Sequence, residues 1–362
     1  MTELRESIAQ NLRVIEWVNI LIMLVAAALL LLLIYLSVLR NLQYVQHTVR
    51  QYRTDKDSGA VVSNLKTIRA KNEVGSLADD ISDMAVELER YTDEMVHLTA
   101  EKERIGAELS LASGIQTHML PNIFPAFPGR KEFDIYATMD PAKEVGGDFY
   151  DFFMVDEDHL CMVVADVSGK GVPAALFSMI AKTMLKMQAQ ARRSPEYVLR
   201  EVNAALSENN DEDMFVTVWL GVLEISTGEL TYADAGHEKL LLYQSGEWRF
   251  LPKSGGIVLA MLEPEDLELL DEKFQFRNQT VHLNPGDAIF QYTDGVTEAT
   301  DAQEELFGDD LLLEAMNSAP SAKPEEVLPH VRAKIDRFVK ETPQFDDITM
   351  LGLRYKGKET QK

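Results

Sequence analysis

An uncharged apolar stretch near the N-terminus limits, more than any other feature, what this chain can fold into. From Trp17 to Leu39, 23 consecutive residues carry no charged side chain. A helix of this length spans about 35 Å, enough to cross a hydrocarbon layer of about 30 Å. Trp17 and Tyr35 lie near the two ends, where aromatic side chains meet the membrane interface. We therefore predict a transmembrane helix over 17–39, preceded by a short N-terminal segment over 1–16.

A cleaved signal peptide is the alternative interpretation of this stretch. The apolar part is longer than that of a signal peptide, and no small-residue cleavage site follows it. Arg40, Arg50 and Arg53 follow the stretch closely, and basic residues favour the cytoplasmic side of a membrane. The sequence thus predicts a single-pass cell-membrane protein with its C-terminal part in the cytoplasm. Because only about 16 residues would lie outside, we expect either that the signal is not an external ligand or that a membrane partner senses it.

Apolar residues continue at heptad spacing after the membrane stretch. One run extends from Val38 to Tyr52, and a second covers 74–119, where twelve of fourteen heptad positions are apolar. This pattern predicts a helix that pairs with another helix, and hence a homodimeric coiled coil. The exceptions, Lys102 and Gln116, would lower the stability of such a coil and either fix its register or let it loosen. A long amphipathic helix packed on its own domain is the alternative.

The order helix, connector, helix over 38–91 resembles a HAMP signalling module. Residues 72–78 (Asn-Glu-Val-Gly-Ser-Leu-Ala) are similar to that family's entry to its second helix, whereas Asn41-Leu42 stands where the first helix commonly has a proline. The resemblance implies a parallel four-helix bundle of two chains that switches between two packings. The predicted order is a HAMP-like module over 38–91, a coiled-coil regulatory linker over 92–120 and a further unit over 121–362.

Most of the negative charge lies in this last unit. The chain has 59 acidic and 35 basic residues and a net charge of −24, of which −20 belongs to residues 121–362. Such a surface excludes nucleic acid as a main partner, because phosphate backbones require Lys and Arg. A single cysteine, Cys161, excludes an intramolecular disulfide framework and a CxxC zinc site. Its apolar neighbours predict that it is buried.

Short β-type runs alternate with helical patterns after Pro121, which predicts an α+β unit with one core. The predicted strands are Phe133–Thr138, Leu160–Val167, Phe215–Ile225, Glu229–Ala235, Leu240–Tyr243, Ala288–Tyr292 and Ile348–Tyr355. The predicted helices are Pro173–Ala191, Pro195–Asn209, Gly308–Asn317 and Pro324–Glu341.

Four acidic clusters lie at the ends of these apolar runs. They are residues 145–151 (Val-Gly-Gly-Asp-Phe-Tyr-Asp), 164–171 (Val-Ala-Asp-Val-Ser-Gly-Lys-Gly), 291–299 (Gln-Tyr-Thr-Asp-Gly-Val-Thr-Glu-Ala) and 345–349 (Phe-Asp-Asp-Ile-Thr). Each places a carboxylate at a strand end, often beside a glycine that permits a tight turn. Carboxylates without a His or Cys cluster suit hard cations such as Mg²⁺ or Mn²⁺. One Asp-Gly pair alone is usually a turn.

The clusters occur in an order that resembles one family closely. Together with Ala235-Gly236-His237 and the entry helix over 108–121, they are similar to the SpoIIE/RsbU-type branch of the metal-dependent, type 2C-like protein serine/threonine phosphatases. The resemblance covers about residues 108–355. It implies a central β-sandwich flanked by helices, with two Mn²⁺ or Mg²⁺ ions at one edge and a metal-activated water that attacks phosphorus.

The resemblance also implies a role for each acidic residue. Asp166 would bridge both ions, with Asp148 and the backbone carbonyl of Val167 on the first ion. Asp294 and Asp346 would hold the second, with Asp347 as a further candidate ligand. Asp148, Asp166, Asp294 and Asp346 form the predicted catalytic set.

Three more residues are candidates for substrate contact or for a structural role: Gly147, Lys170 and His237. Lys170 would hold substrate or cap the following helix, and His237 would act as a general acid or, more simply, support the fold. The family implies phosphorylated STAS-type anti-sigma-factor antagonists of partner-switching pathways as substrates, and hence a role in sigma factor regulation.

Two other functions remain as alternatives. The first is a catalytically inactive phosphatase-like docking module, against which the complete set of acidic residues argues. The second is a HAMP-containing sensor kinase, suggested by His97 after a membrane helix. The residues around His97 lack the acidic-x-Arg-x-Pro context of a phospho-accepting histidine, and no glycine-rich nucleotide lid follows.

Overall fold

The structure is a computed structural model that describes residues 2–68, 71–208, 210–253 and 255–358. The chain forms two compact units, residues 1–105 and 106–362. The second unit begins before the predicted boundary at 121, because the last turns of a long helix pack with it. Arg69 and Ala70 of the predicted HAMP-like module lie outside the described residues.

The described part of the first unit consists of helices joined by short connecting segments. Helix α1 (Thr2–Ile34) continues through a π-helical turn (Tyr35–Leu39) into α2 (Arg40–Asp55). A short helix α3 (Ser58–Leu65) follows, and α4 (Glu73–Met119) continues into the second unit. One helix in the described part of the chain, over Asn11–Asp55, is long and apolar enough to cross a membrane, with a mean hydropathy of 3.0 in its most apolar window. This window is fully exposed.

A small core joins the helices that follow the apolar stretch. Val45 of α2, Val61 and Leu65 of α3, and Ala78 and Ala85 of α4 are buried together. The connector predicted between the two helices of the HAMP-like module thus contains helix α3. At the N-terminus of α3, Asp57 accepts a hydrogen bond from the Ala60 amide (2.9 Å). The Asn72 side chain caps α4 in the same way. The HAMP-like organisation stays a prediction.

Within the described residues of the second unit, ten strands form two antiparallel sheets. The first sheet has the order β1-β10-β9-β6-β7 and the second β2-β3-β4-β5-β8. The strands are β1 (Phe133–Asp140), β2 (Phe149–Met154), β3 (His159–Val167), β4 (Val216–Glu224), β5 (Glu229–Ala235), β6 (Leu241–Gln244), β7 (Glu247–Phe250), β8 (Gln279–His282), β9 (Ala288–Tyr292) and β10 (Ile348–Tyr355). The helices are α5 (Val172–Gln190), α6 (Pro195–Ser207), α7 (Pro264–Glu268), α8 (Gly308–Asn317) and α9 (Pro324–Val339).

Alternation along β10 shows how the layers pack. Leu351 and Leu353 belong to the core shared by the two sheets, α5 and α6. Ile348 and Met350 face the other way, into a second core with α8 and α9. Because successive side chains of a strand point to opposite faces, one sheet separates two apolar layers. The predicted α+β sandwich flanked by helices is therefore confirmed.

The second sheet is apolar on both faces where it passes under α5. Every residue of β3 from Leu160 to Ala165 is buried, and Cys161 is among them, as the sequence predicts. Strands β2, β3 and β4 all have one end at the same edge, since Phe149 pairs with Ala165 and Asp166 with Thr217. The loops at this edge carry the acidic clusters.

Candidate metal centre

Two of the candidate ligands, Asp148 and Asp166, meet at the edge of the second sheet. Asp148 directly precedes β2 and is 1% exposed, and Asp166 lies near the end of the neighbouring strand β3. Burial and the adjacent Asp166 charge raise the pKa of Asp148 well above its usual value. Burial, followed by the Asp294 charge, raises the pKa of Asp166 to about 7. Carboxylates placed this way are costly to ionise together, and a divalent cation removes that cost.

Asp294 reaches the same cluster from the first sheet. It begins a single 3₁₀ turn (Asp294–Val296) directly after β9. Burial, the Glu298 charge and the Asp346 charge raise the pKa of Asp294 to about 6. Glu298 lies in the same motif but is not among the residues that the sequence pattern predicts as ligands. Its position one helical turn after Asp294 is the signal that could have identified it.

Thr293 links the two sheets inside the centre. Its hydroxyl donates a hydrogen bond to Asp148 Oδ2 (2.7 Å) and accepts one from the Thr349 amide (3.0 Å). The Thr293 amide in turn donates to the Thr349 carbonyl (3.0 Å). Thr293 therefore orients one candidate ligand and ties the strand before Asp294 to the strand after Asp347. Thr293 and Thr349 lie in the acidic clusters 291–299 and 345–349, but the sequence pattern predicts no role for either threonine.

The adjacent residues Asp346 and Asp347 have different surroundings. Asp347 is 7% exposed, and its carboxylate accepts hydrogen bonds from the amides of Ala142 and Gly147, each at 2.7 Å. Asp346 is more exposed and forms an ion pair with Lys170, with 2.9 Å between Oδ2 and Nζ. Asp347 thus holds the β1–β2 loop in shape, while Asp346 keeps a more accessible carboxylate beside Asp294.

Gly147 lies against the backbone carbonyl proposed as a ligand. A Cβ at this position would be 2.8 Å from the Val167 oxygen, closer than a normal contact. Only glycine lets the loop approach the end of β3 so closely. The arrangement gives Gly147 a structural role and places the Val167 carbonyl next to Asp148.

Lys170 and His237 are both held by protein partners. Lys170 contacts Asp346 and the Phe345 carbonyl (2.7 Å), and the helix that follows it is capped by Gly171. His237 is 2% exposed, and its Nδ1 lies 2.8 Å from Thr217 Oγ1. Burial lowers the pKa of His237 to about 3, so the ring is neutral at ordinary pH. This environment favours the structural interpretation of His237.

The donors at this edge are all oxygens: carboxylates and one backbone carbonyl. This set fits Mg²⁺ or Mn²⁺ and does not suit Zn²⁺. In the described part of the chain, no group of three or more His, Cys, Asp or Glu side chains is gathered closely enough to form a ready metal cluster. Asp346 forms an ion pair with Lys170, and Asp347 accepts hydrogen bonds from backbone amides. The edge therefore fits a cation by donor chemistry and by the raised pKa values.

Gln116, near the end of α4, contacts the loop that carries these residues. Its Nε2 donates to the Gly146 carbonyl (2.7 Å), and its Oε1 accepts from the Gly146 amide (3.2 Å). The side chain is buried at 6% exposure. The polar interruption of the heptad pattern is thus explained by a contact with the catalytic unit.

Comparison with known proteins agrees with this architecture. The family profile described as Stage II sporulation protein E (SpoIIE) matches residues 156–356. Protein IcfG of Synechocystis sp. (strain ATCC 27184 / PCC 6803 / Kazusa) is 29% identical over 309 residues, which are 77% of this chain and 47% of that protein. Phosphoserine phosphatase RsbU of Bacillus subtilis (strain 168) is 31% identical over 198 residues, 54% of this chain and 55% of that protein.

Solved structures share the fold. The SiaA-PP2C domain of Pseudomonas aeruginosa superposes with a TM-score of 0.59 at 24% identity and covers 71% of this chain and 99% of that domain. The RsbU and RsbW domains of Rv1364c from Mycobacterium tuberculosis give a TM-score of 0.52 at 26% identity, over 62% of this chain and 60% of that one. This chain spans about half the length of the curated relatives that it matches. Because the family profile covers more than half of its residues, the chain belongs to the SpoIIE family of PP2C-type phosphatase domains.

Proposed function

We propose that this chain is a membrane-anchored, signal-regulated phosphatase that hydrolyses phosphoserine or phosphothreonine on a protein substrate. The observation that carries the proposal is that Asp148, Asp166 and Asp294 lie at one edge of the sandwich, where burial and neighbouring carboxylate charges raise the pKa of each. The likeness to phosphoserine phosphatase RsbU supports the reaction. STAS-type anti-sigma-factor antagonists are the proposed substrates, within a partner-switching pathway.

The proposed site holds two divalent cations through oxygen donors. The Asp166 charge interacts with both Asp148 and Asp294, so Asp166 would be the ligand shared by the two ions. Asp148, Asp294, Asp346 and the Val167 carbonyl would supply the other donors. The cations would supply charge neutralisation for the phosphoryl group and activation of a water molecule. Thr293 orients Asp148, and Asp347 and Gly147 fix the loop in front of it. In this proposal Asp347 acts as a positioning residue, and it is also a candidate ligand.

Regulation is proposed to pass through α4. Gln116 joins the helix to Gly146, two residues before Asp148, so a shift of the helix changes the loop that carries a proposed ligand. A cavity of about 160 Å³ beside this contact, lined by Gln116, Leu120, Met139 and Tyr150 among others, leaves room for such a shift. The HAMP-like module and the membrane helix are the proposed source of the movement.

A homodimer through α4 is part of the same proposal. Leu88, Tyr91, Met95 and Leu98 follow the predicted heptad positions and are each between 44% and 63% exposed. Apolar side chains at this spacing are buried when a second helix packs along them. A second copy of the chain satisfies this requirement and matches the symmetry of a HAMP-like bundle.

The test is phosphate release by the full chain in detergent micelles. A phosphoserine-bearing STAS-domain protein serves as substrate, in Mn²⁺, in Mg²⁺ or in EDTA. We expect release with either metal, no release in EDTA, and a loss of about 10³-fold or more in Asp166→Asn and Asp294→Asn. Asp134→Asn, which removes a carboxylate of β1 paired with Lys356, is the matched control and keeps its activity.

Two results would contradict the proposal. Release that persists in EDTA would remove the metal-dependent mechanism. A folded, metal-loaded chain that binds the phosphorylated protein without releasing phosphate would instead support the docking function.

A further inference from the structure

A cavity of about 200 Å³ opens beside the candidate metal centre, between the end of α9 and the start of β10. Gly295 and Asp346 line it, so the cavity is continuous with the centre. An extended chain advances about 3.3 Å per residue. A segment that places a phosphorylated residue at Asp294 and Asp346 therefore brings its next one or two residues to this cavity.

The cavity is lined by both apolar and charged side chains. Ile335, Val339 and Ile348 supply apolar surface. Of the charged residues, Arg332 is bound to Asp140 (2.8 Å) and to Asp336 (2.9 Å), so its charge is already matched, and Glu298 and Lys340 also line the cavity. Burying a charged group there would require its desolvation, whereas an aliphatic group gains from burial. The chemistry fits an aliphatic side chain.

An exposed aromatic ring stands at the edge of the cavity next to Asp346. Phe345 is 73% exposed, and Lys170 Nζ lies 3.6 Å from its ring centroid. The same Nζ also donates to the Phe345 carbonyl (2.7 Å) and pairs with Asp346. The ring is therefore held in place while its surface is open to solvent. Fixed aromatic side chains of this kind are frequent anchors in protein interfaces.

We propose that this cavity and the Phe345 ring form the docking surface for the segment that flanks the phosphorylated residue of the protein substrate. An aliphatic side chain of that segment enters the cavity, and neighbouring apolar atoms pack on Phe345. The proposal rests on the proposed phosphatase function and adds to it a determinant of substrate choice. It makes the surface selective for a folded protein substrate over a small phosphate ester.

The experiment compares two substrates on variants of the full chain in detergent with Mn²⁺. Phe345→Ala removes the ring, and Thr342→Phe fills the cavity from its lining. Phe274→Ala is the matched control, because Phe274 is also an exposed ring beside a lysine, Lys273 (4.8 Å). The substrates are p-nitrophenyl phosphate and a phosphoserine-bearing STAS-domain protein. A thermal melt of each variant checks that it is folded.

We expect kcat/KM for the phosphoprotein to fall at least about fivefold in both variants, as for an interface anchor. Hydrolysis of p-nitrophenyl phosphate should stay within twofold of the unaltered chain, as should both activities of the control. Equal losses on both substrates would show that the residues only support Asp346 and would overturn the proposal. Unchanged phosphoprotein turnover would overturn it as well.

A binding measurement distinguishes failure of the proposed docking surface from failure of the phosphatase function on which it rests. If the unaltered chain hydrolyses neither substrate, the proposed function fails. Affinity of the Asp166→Asn chain for the phosphoprotein still decides the docking surface. A loss of about fivefold or more on adding Phe345→Ala or Thr342→Phe supports the surface, and an unchanged affinity overturns it.

Discussion

Apolar side chains form buried cores in the sandwich unit, whereas many of those in the helical unit are exposed. In the sandwich, Leu160 and Met162 of β3 are fully buried between a second sheet and two helices. On α4, Met95 and Leu98 are more than half exposed. About 240 residues are enough to enclose a core, whereas a single long helix cannot bury its own apolar stripe. The sandwich therefore encloses its own core within one chain, whereas the apolar stripe of α4 would be buried only by the proposed partner helix.

A pair of leucine substitutions gives the largest expected effect. Leu160→Ala removes a fully buried side chain and should lower the free energy of unfolding of the sandwich by about 2–5 kcal/mol. Leu98→Ala removes an exposed one and should leave that unfolding unchanged, while weakening dimerisation. Urea unfolding in detergent and analytical ultracentrifugation measure the two quantities. Equal stability losses would show that α4 is packed within the chain.

Two glycine substitutions should change stability in opposite directions. A Cβ at Gly295 would collide with the backbone carbonyl of Asp347, so Gly295→Ala should destabilise the sandwich by about 1–3 kcal/mol and reduce phosphate release. Nothing lies within 4 Å of a Cβ at Gly106 in α4, so Gly106→Ala should stabilise the helix by about 0.5–1 kcal/mol. Melting temperatures of both variants test this. A destabilising Gly106→Ala would indicate a close neighbour of α4.

A third comparison concerns the pH dependence of the sandwich. Burial raises the pKa of Asp234 to about 7, so the folded chain keeps a proton that the unfolded chain releases above about pH 4. Stability should therefore fall as pH rises from about 4 to about 7, with a slope of at most about 1.4 kcal/mol per pH unit. Asp234→Asn should flatten this slope, as measured by urea unfolding at several pH values. Asp93→Asn on exposed α4 is the control, and an equal flattening there would contradict the assignment.

Periodicity predicted most elements of the sandwich. Strands β5, β9 and β10 and helix α8 begin and end where the sequence placed them. Strand β2 was not predicted, because it is buried on both faces and has an aspartate in its middle. Asp151 is 2% exposed and pairs with the buried Lys182 of α5 at 2.7 Å. The ion-pair partner of Asp151, Lys182, lies 31 residues further along the chain. The local sequence pattern therefore indicates an acidic cluster and not a buried ion pair.

The sequence motifs predict which residues form the candidate site but not the separate role of each residue. The motifs identify Asp148, Asp166 and Asp294, which the structure brings to one edge. The contrast between Asp346 and Asp347 depends on amides of the β1–β2 loop, about 200 residues earlier in the chain, which no local pattern encodes. The contact of Gln116 with Gly146 also joins residues that lie 30 positions apart in sequence, and no local pattern encodes it. The two metal ions and the ligand assignment stay predictions.

The place of β10 in the first sheet has a consequence for the timing of synthesis. This strand follows the other nine in the chain, yet it lies between β1 and β9 and pairs with both. The two amides that hold the β1–β2 loop have no carboxylate partner until Asp347, just before β10, leaves the ribosome. Contacts this distant in sequence form late in folding. A growing chain therefore cannot complete the β1–β2 loop, or the candidate metal centre beside it, before Asp347 has been synthesised.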